Sequence, residues 1–291
     1  MNQKDIRTFR QLLMTWYADN KREFPWRKET PEPFVTLVSE VMLQQTQTSR
    51  VAEKLPLFLE KFPTIQRLAT ATNSEVIRAW QGMGYNSRAL RLRDCARSIV
   101  DKYDGEIPST KHELLELIGI GNYTASALLA FCFKQNVAVV DVNIRRVYSR
   151  IASKMTTTSM LLPVKEIDEL AEKIFPRGES SMWHQAVMDI GSSFCTARKP
   201  KCKECPLGSV CLSSGEMVDV PPVKRSEPSR YGVPRRIWRG ELSSCYVRHM
   251  VLYQFRKLQI ICLVLLRLPM IPIGFIHLLF NWKKRGYVLF I

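Results

Sequence analysis

A chain of 291 residues, 46% of them hydrophobic, can bury a substantial core, which excludes a peptide-like module and leaves one large domain or two modest ones. Its net charge of +16 and pI near 9.7 suit a protein that neutralises phosphates, a property that ribosomal and membrane-surface proteins share. Residues 215–291 carry 13 Lys/Arg against 4 Asp/Glu, a net of +9, so the first 214 residues hold only +7, the balance of a folded enzyme with a local basic face.

The opening MNQKDIRTFRQLLMTWYADN has no basic segment followed by an apolar run and no small-residue cleavage site. No secretory signal is expected, and the chain is assigned to the cytoplasm, at the nucleoid. Phe9, Leu12, Leu13 and Trp16 form a first helical stripe. Residues 33–50, PFVTLVSEVMLQQTQTSR, continue the helical pattern, with Phe34, Leu37, Val38 and Val41 inward and Thr36, Gln44 and Gln47 on the edge shared with Glu40. Leu68, Val76, Ile77 and Trp80 suggest one short stripe; Leu114, Leu115 and Ile118 form another that ends at Gly119. An apolar segment follows from Ala125 to Phe133, and residues 163–175 and 180–194 repeat the helical period. The one β-like run, Val137–Val140, is too short for a sheet, so residues 1–214 are predicted to be all-α.

Two glycines one residue apart separate helical segments in Leu117-Ile118-Gly119-Ile120-Gly121-Asn122-Tyr123-Thr124-Ala125. Glycine permits a tight reversal, and the second helix would then offer free N–H groups and its positive dipole end to a phosphate. An ordinary interhelical turn reads the same way. Asp141 precedes a helix starting near Val142, where its bland role is an N-cap. A carboxylate held by a helix N-terminus stays ionised, whereas one against apolar packing, as Glu40 could be, has its pKa raised. Such a pair can give a proton and stabilise a cationic sugar; Gln44, Gln45, Thr46 and Gln47 add groups suited to base edges.

Eight cysteines in a reducing compartment are poor disulfide candidates, and Cys195, Cys202, Cys205 and Cys211, spaced C-x6-C-x2-C-x5-C, fall within seventeen residues. Four thiolates this close can wrap an iron–sulfur cluster or a structural zinc; with only the central pair at knuckle spacing, the cluster is favoured. Arg198, Lys199, Lys201 and Lys203 between the ligands would face a phosphate backbone. Cys95 and Cys132 read as core residues.

Hairpin, aspartate and cysteines in this order resemble the helix-hairpin-helix glycosylase superfamily in its iron–sulfur branch. SEVMLQQTQ (Ser39–Gln47), Pro25-Trp26, GMGYNSRA (Gly82–Ala89) and the cysteine spacing are similar to the MutY family of adenine glycosylases, over about residues 5–214. The resemblance implies a two-lobed all-α fold: a six-helix barrel over residues 29–136, and a cluster lobe made from residues 137–214 with the N-terminal helix of residues 1–28. It implies one 4Fe-4S cluster, structural and DNA-sensing, and double-stranded DNA with a mispaired or damaged base as partner of a monomer. By motif, Glu40 would protonate a flipped adenine and later position water, and Asp141 would stabilise the oxocarbenium-like sugar, with Tyr123 and Asn143 in support. Gln44, Gln45, Thr46 and Tyr85 would contact or wedge the DNA, Gly119 and Gly121 would hold its backbone, and Arg27 would add a further contact. Relatives resembling endonuclease III carry lysine at position 123; tyrosine cannot form a Schiff base, so base release without strand cleavage is expected.

Three departures stand out. Val142 replaces the glycine usual after the aspartate, Asn86 replaces a second tyrosine after Tyr85, and residues 215–291 are wrongly patterned for the usual domain that recognises 8-oxoguanine. Residues 215–240, rich in Pro and Arg, read as a linker or basic arm. The apolar run Ile260–Phe280 is broken by Arg267, Pro269, Pro272 and His277, which argues against a membrane span, and Cys245 and Cys262 have no evident partner. The leading expectation is a monofunctional adenine glycosylase acting opposite 8-oxoguanine or guanine. A thymine/uracil mismatch or endonuclease III-like enzyme is the alternative within the class, and a non-catalytic damage-binding protein the alternative outside it.

Overall fold

The computed structural model describes residues 1–215 and 217–219, with the backbone of residues 229–230 and 233–234. All lie within one unit, Met1–Gly240. The apolar run 260–280, Cys245, Cys262 and most of the proposed linker lie outside the described residues.

Among the described residues eleven α-helices follow in order: α1 Gln3–Asn20, α2 Pro33–Leu43, α3 Thr48–Lys61, α4 Ile65–Ala69, α5 Asn73–Ala79, α6 Ser87–Tyr103, α7 Lys111–Glu116, α8 Asn122–Phe131, α9 Val142–Ala152, α10 Val164–Ile174 and α11 Ser180–Ser193. The all-α class holds. Among the described residues, β structure is confined to a two-residue antiparallel ladder, Ser229–Arg230 with Val233–Pro234, and one bridge from Thr157 to Val218. Residues 137–140 form no strand.

Local chemistry corrects three sequence expectations. The stripe at 68–80 is two helices, because Thr72 and Glu75 form a capping box that starts α5 afresh after α4 ends. The stripe at 114–118 is broken too: α7 stops at Glu116, Leu115 and Ile118 are exposed, and Leu117 and Ile120 are buried in their place. Helix α2 stops at Leu43, so Gln44–Gln47 leave the helix instead of extending the edge of Glu40.

Burial separates two apolar cores. One is built by α2–α8, around Leu37, Phe58, Phe62, Trp80 and Leu128. The other joins α1 to α9, α10 and α11, with Phe9 meeting Trp183 edge-on at 5.1 Å and the Trp183 indole donating to the Tyr148 hydroxyl at 2.8 Å. Arg10 fastens α1 in place by donating to the carbonyls of Lys173, Ile174 and Phe175 at the end of α10. The first helix thus shares a core with residues more than a hundred positions away. A small third cluster, Ala127, Ala130, Phe131 and Val139, lies where α8 meets the segment leading to α9.

Helix α8 is apolar all round, and every residue from Thr124 to Phe131 is buried. It carries Tyr123 at one end, and the segment beyond its other end leads to Asp141. That segment is pinned to α11 by a buried histidine: the Val139 N–H donates to His184 Nε2 at 3.1 Å, and His184 Nδ1 is 2.6 Å from the Ser180 carbonyl. Burial lowers the His184 pKa to about 4, so the ring is neutral at physiological pH and accepts the Val139 proton.

Candidate active site

Glu40 lies in the middle of α2, but only 5% of it is exposed. The sequence placed it at a helix edge; the packing of α8 against α2 turns that edge inward. Burial pushes its carboxyl up to about 7, aided by the charge of Asp141 and opposed by a hydrogen bond from Tyr123 and by the charge of Arg27. Its Oε2 has no hydrogen-bond partner among the described residues, an open acceptor or acid in a closed site. The Tyr123 hydroxyl, held well above its ordinary pKa by burial and by both carboxylates, stays protonated and donates to Glu40.

Asp141 occupies the N-cap of α9, where Oδ1 accepts the Ile144 N–H at 2.6 Å and Oδ2 accepts the Asn143 amide at 2.7 Å. These donors do not hold its carboxyl below the usual range as the sequence suggested. Burial is the largest effect and raises it, while the Ile144 and Asn143 bonds and the Arg146 charge pull it back. Asn143 is itself fixed, its Oδ1 accepting from Arg146 at 2.8 Å; Arg146 also donates to the carbonyls of Gly191 (2.7 Å) and Cys195 (2.6 Å). A side chain on Gly191 would place its Cβ 2.7 Å from that of Asn143, so glycine is what admits this contact. Sequence reasoning missed Arg146, although its position one turn after Asn143 on the same helix was available as a signal.

Arg27, expected at the DNA, has both Nη atoms on Asp189, at 2.8 and 3.0 Å, and is mostly buried. Its charge is felt instead by Glu40 and Tyr123. Asp189, buried in α11, gave no signal in sequence because an acidic residue between apolar neighbours reads as a surface charge.

Gln44, Gln45, Thr46 and Tyr85 form a second group. Gln45 (φ 55°) and Tyr85 (φ 46°) are in left-handed backbone, and both are exposed, Tyr85 at 62%. In the hairpin only Gly119, at φ 86°, needs glycine for its backbone; Gly121 caps α8 at φ −103° without any side-chain cap, and a Cβ there would meet nothing. The N–H groups of the first turn of α8 are therefore open to an anion.

Cys195, Cys202, Cys205 and Cys211 are partly buried; burial pushes the Cys211 thiol up to about 11, and the other three cysteines are near enough for their charge to raise it further. Arg150, fully buried, donates to Cys195 Sγ at 3.3 Å and to the carbonyls of Thr196 and Ala197. Among the described residues no three His, Cys, Asp or Glu side chains are arranged to hold a single metal ion. Four cysteines within seventeen residues, one of them accepting a hydrogen bond from a buried guanidinium, are a donor set that suits a cluster whose irons each take one ligand. The four exposed cations, Arg198, Lys199, Lys201 and Lys203, ring this segment.

Comparison with known proteins bears on the cysteine segment and on the family of the chain. Residues 195–211 match the iron–sulfur binding domain of endonuclease III, so the cysteine segment is an iron–sulfur binding domain, consistent with one 4Fe-4S cluster. Residues 38–177 match the HhH-GPD superfamily base excision DNA repair protein family. Adenine DNA glycosylase of Rattus norvegicus is 36% identical over 71% of this chain and 42% of its own length. Thymine/uracil-DNA glycosylase of Methanothermobacter thermautotrophicus is 30% identical over 72% of this chain and 94% of its own length. The chain spans less than half the length of the mammalian relatives it matches. A solved structure of a thermostable thymine-DNA glycosylase superposes with a TM-score of 0.66 at 30% identity, over 72% of this chain and 95% of that one. No described helix is long and apolar enough to cross a membrane. By this likeness in sequence and in architecture, the chain belongs to the HhH-GPD superfamily of base excision DNA repair proteins.

Proposed function

We propose that this protein is a monofunctional DNA glycosylase that hydrolyses the N-glycosidic bond of adenine mispaired with 8-oxoguanine or guanine. The observation that carries the reading is Glu40: a buried carboxyl poised near 7, bonded by a tyrosine and with one oxygen unpartnered, is equipped to give a proton at neutral pH. Protonation of the extruded base makes it a leaving group. Asp141, the second carboxylate, stabilises the positive sugar as the bond breaks, and Asn143 and Arg146 hold it in place. Glu40, now ionised, orients the water that completes hydrolysis. Tyr123 has no amine to attack the sugar, so the strand stays intact. The first turn of α8, Gly119 and the basic cysteine segment hold the DNA backbone, and Gln44, Gln45, Thr46 and Tyr85 enter the duplex. The iron–sulfur cluster, when bound, fixes the fold of the basic segment.

Adenine is favoured by SEVMLQQTQ, with Glu40 and the paired glutamines together, and by the named adenine relatives. Thymine or uracil release is the second reading, because a thymine/uracil relative is matched over almost its full length. A single-turnover assay on a panel of mispairs separates the two: adenine should leave duplexes holding A opposite 8-oxoguanine or G, with strand breaks only after alkali. Thymine release in its place would transfer the protein to the second reading. Tight duplex binding with no base released by excess enzyme would make it a damage-binding protein.

A further inference from the structure

Arg88, on the first turn of α6, is a buried cation, 8% exposed, and no carboxylate among the described residues pairs with it. Its partners are oxygens of two separate turns. Nη1 donates to the carbonyls of Val41 (3.0 Å), Met42 (3.1 Å) and Gln44, closing the end of the helix that carries Glu40. Nη2 donates to Thr46 Oγ1 (3.1 Å) and to the carbonyls of Met83 (3.0 Å) and Gly84 (3.3 Å). The guanidinium lies 5.7 Å from the Tyr85 ring centre and 5.5 Å from that of Trp80, whose indole also donates to the Gly84 carbonyl at 3.1 Å. One turn presents Gln45 and the other Tyr85, the two exposed residues with strained left-handed backbone near the site. Burying a charge with only neutral acceptors is costly, and strain of this kind persists only where the surroundings over-determine it.

We propose that Arg88 is a positioning residue for base extrusion: it locks the Gln44–Thr46 turn to the Gly82–Tyr85 turn, so that Gln45 and Tyr85 enter the duplex as one rigid wedge at a fixed distance from Glu40. This rests on the glycosylase reading and concerns the step before chemistry. Lysine in its place keeps the charge but cannot reach both turns, since its three donors leave one point in place of a planar fork.

The test uses a duplex with 2-aminopurine at the target position opposite guanine, whose fluorescence rises when the base leaves the stack, and the full chain with Glu40→Gln so that nothing is cleaved. Glu40→Gln alone should raise the fluorescence; if it does not, base extrusion itself fails, and the glycosylase reading with it. Adding Arg88→Lys should cut the extrusion equilibrium roughly tenfold while the duplex Kd changes only a few-fold. Extrusion by the Arg88→Lys protein equal to that of its parent overturns the proposal. Should Arg88→Lys melt before binding can be read, Thr46→Val, which removes one acceptor, decides instead: a selective loss of extrusion supports the wedge, and none overturns it.

Discussion

Helix α2 and the N-terminus of α9 each present one carboxyl to the same site, by opposite means. Glu40 sits mid-helix, where every backbone N–H is already used, so its donor among the described residues is the Tyr123 hydroxyl and burial governs its pKa. Asp141 sits where a helix leaves its N–H groups unsatisfied, and it collects the Ile144 N–H and the Asn143 amide, with Arg146 behind them. A short-branched carboxyl at a helix start is supplied with donors by the backbone, whereas one in a helix interior must be supplied by tertiary packing. The first arrangement suits a charge that must persist, and the second a proton that must be given up.

The contrast is tested most severely by Glu40→Gln, which should lower single-turnover base release on the order of 10³-fold while leaving duplex binding intact. The same substitution should stabilise the protein in alkali. The folded carboxyl titrates near 7 and the unfolded one near 4.5, so folding holds a proton between those values and stability is lost as pH rises through that window. At pH 8 the amide should recover up to about 3 kcal/mol, read from chemical denaturation at pH 8 against pH 4. An unchanged denaturation midpoint would mean that Glu40 is not buried as a charge.

Asp141→Asn comes next. Asparagine caps a helix as well as aspartate does, so stability should hardly move, while loss of the charge opposite the sugar should cost about 10²-fold or more in rate. A variant that loses rate only in proportion to its stability would reduce Asp141 to a cap. Tyr123→Phe is expected to cost about tenfold, because it removes one hydrogen bond to a group that must ionise. Its signature is in the pH profile: without the Tyr123 donor the Glu40 carboxyl moves further up, so the alkaline limb of the rate, near 7 in the parent, shifts to higher pH. A shift to lower pH would show that Tyr123 does not donate to Glu40.

The smallest effect concerns the tether of the Asp141 segment. The His184 ring titrates near 4 when folded and near 6.5 when unfolded. Its stabilisation is complete above 6.5 and drains away as pH falls toward 4, where the unfolded chain gains the proton first. His184→Gln should flatten the fall in melting temperature between pH 6.5 and 4, with rates at neutral pH nearly unchanged. A melting curve as steep as that of the parent would assign the acid sensitivity to other groups.

Spacing and end signals settled much of this protein in advance. The periodic stripes of residues 9–16, 163–175 and 180–194, the cysteine interval and the aspartate before Val142 are local patterns, and local hydrogen bonding or chelation enforces them wherever the chain goes. The stripes at 68–80 and 114–118 misled because apolar residues can satisfy the helical period across a break: the Thr72–Glu75 capping box starts a new helix after α4, and the chain leaves α7 at Leu117, two residues before Gly119.

Tertiary structure alone decided the rest, for one physical reason: burial is not a property of sequence position. Glu40 lies on a helix edge in the sequence, and only the packing of α8 against α2 buries that edge. Nothing in the sequence near Arg27 announces that Asp189, 162 positions away on α11, is its partner. Arg88 and Arg146 read as unremarkable basic residues on helices, and only the close approach of several carbonyls gives each one a place. The sequence determined which chemical groups this chain could bring to a base and a phosphate; the packing of two cores determined which of them lost their water, and so which can act.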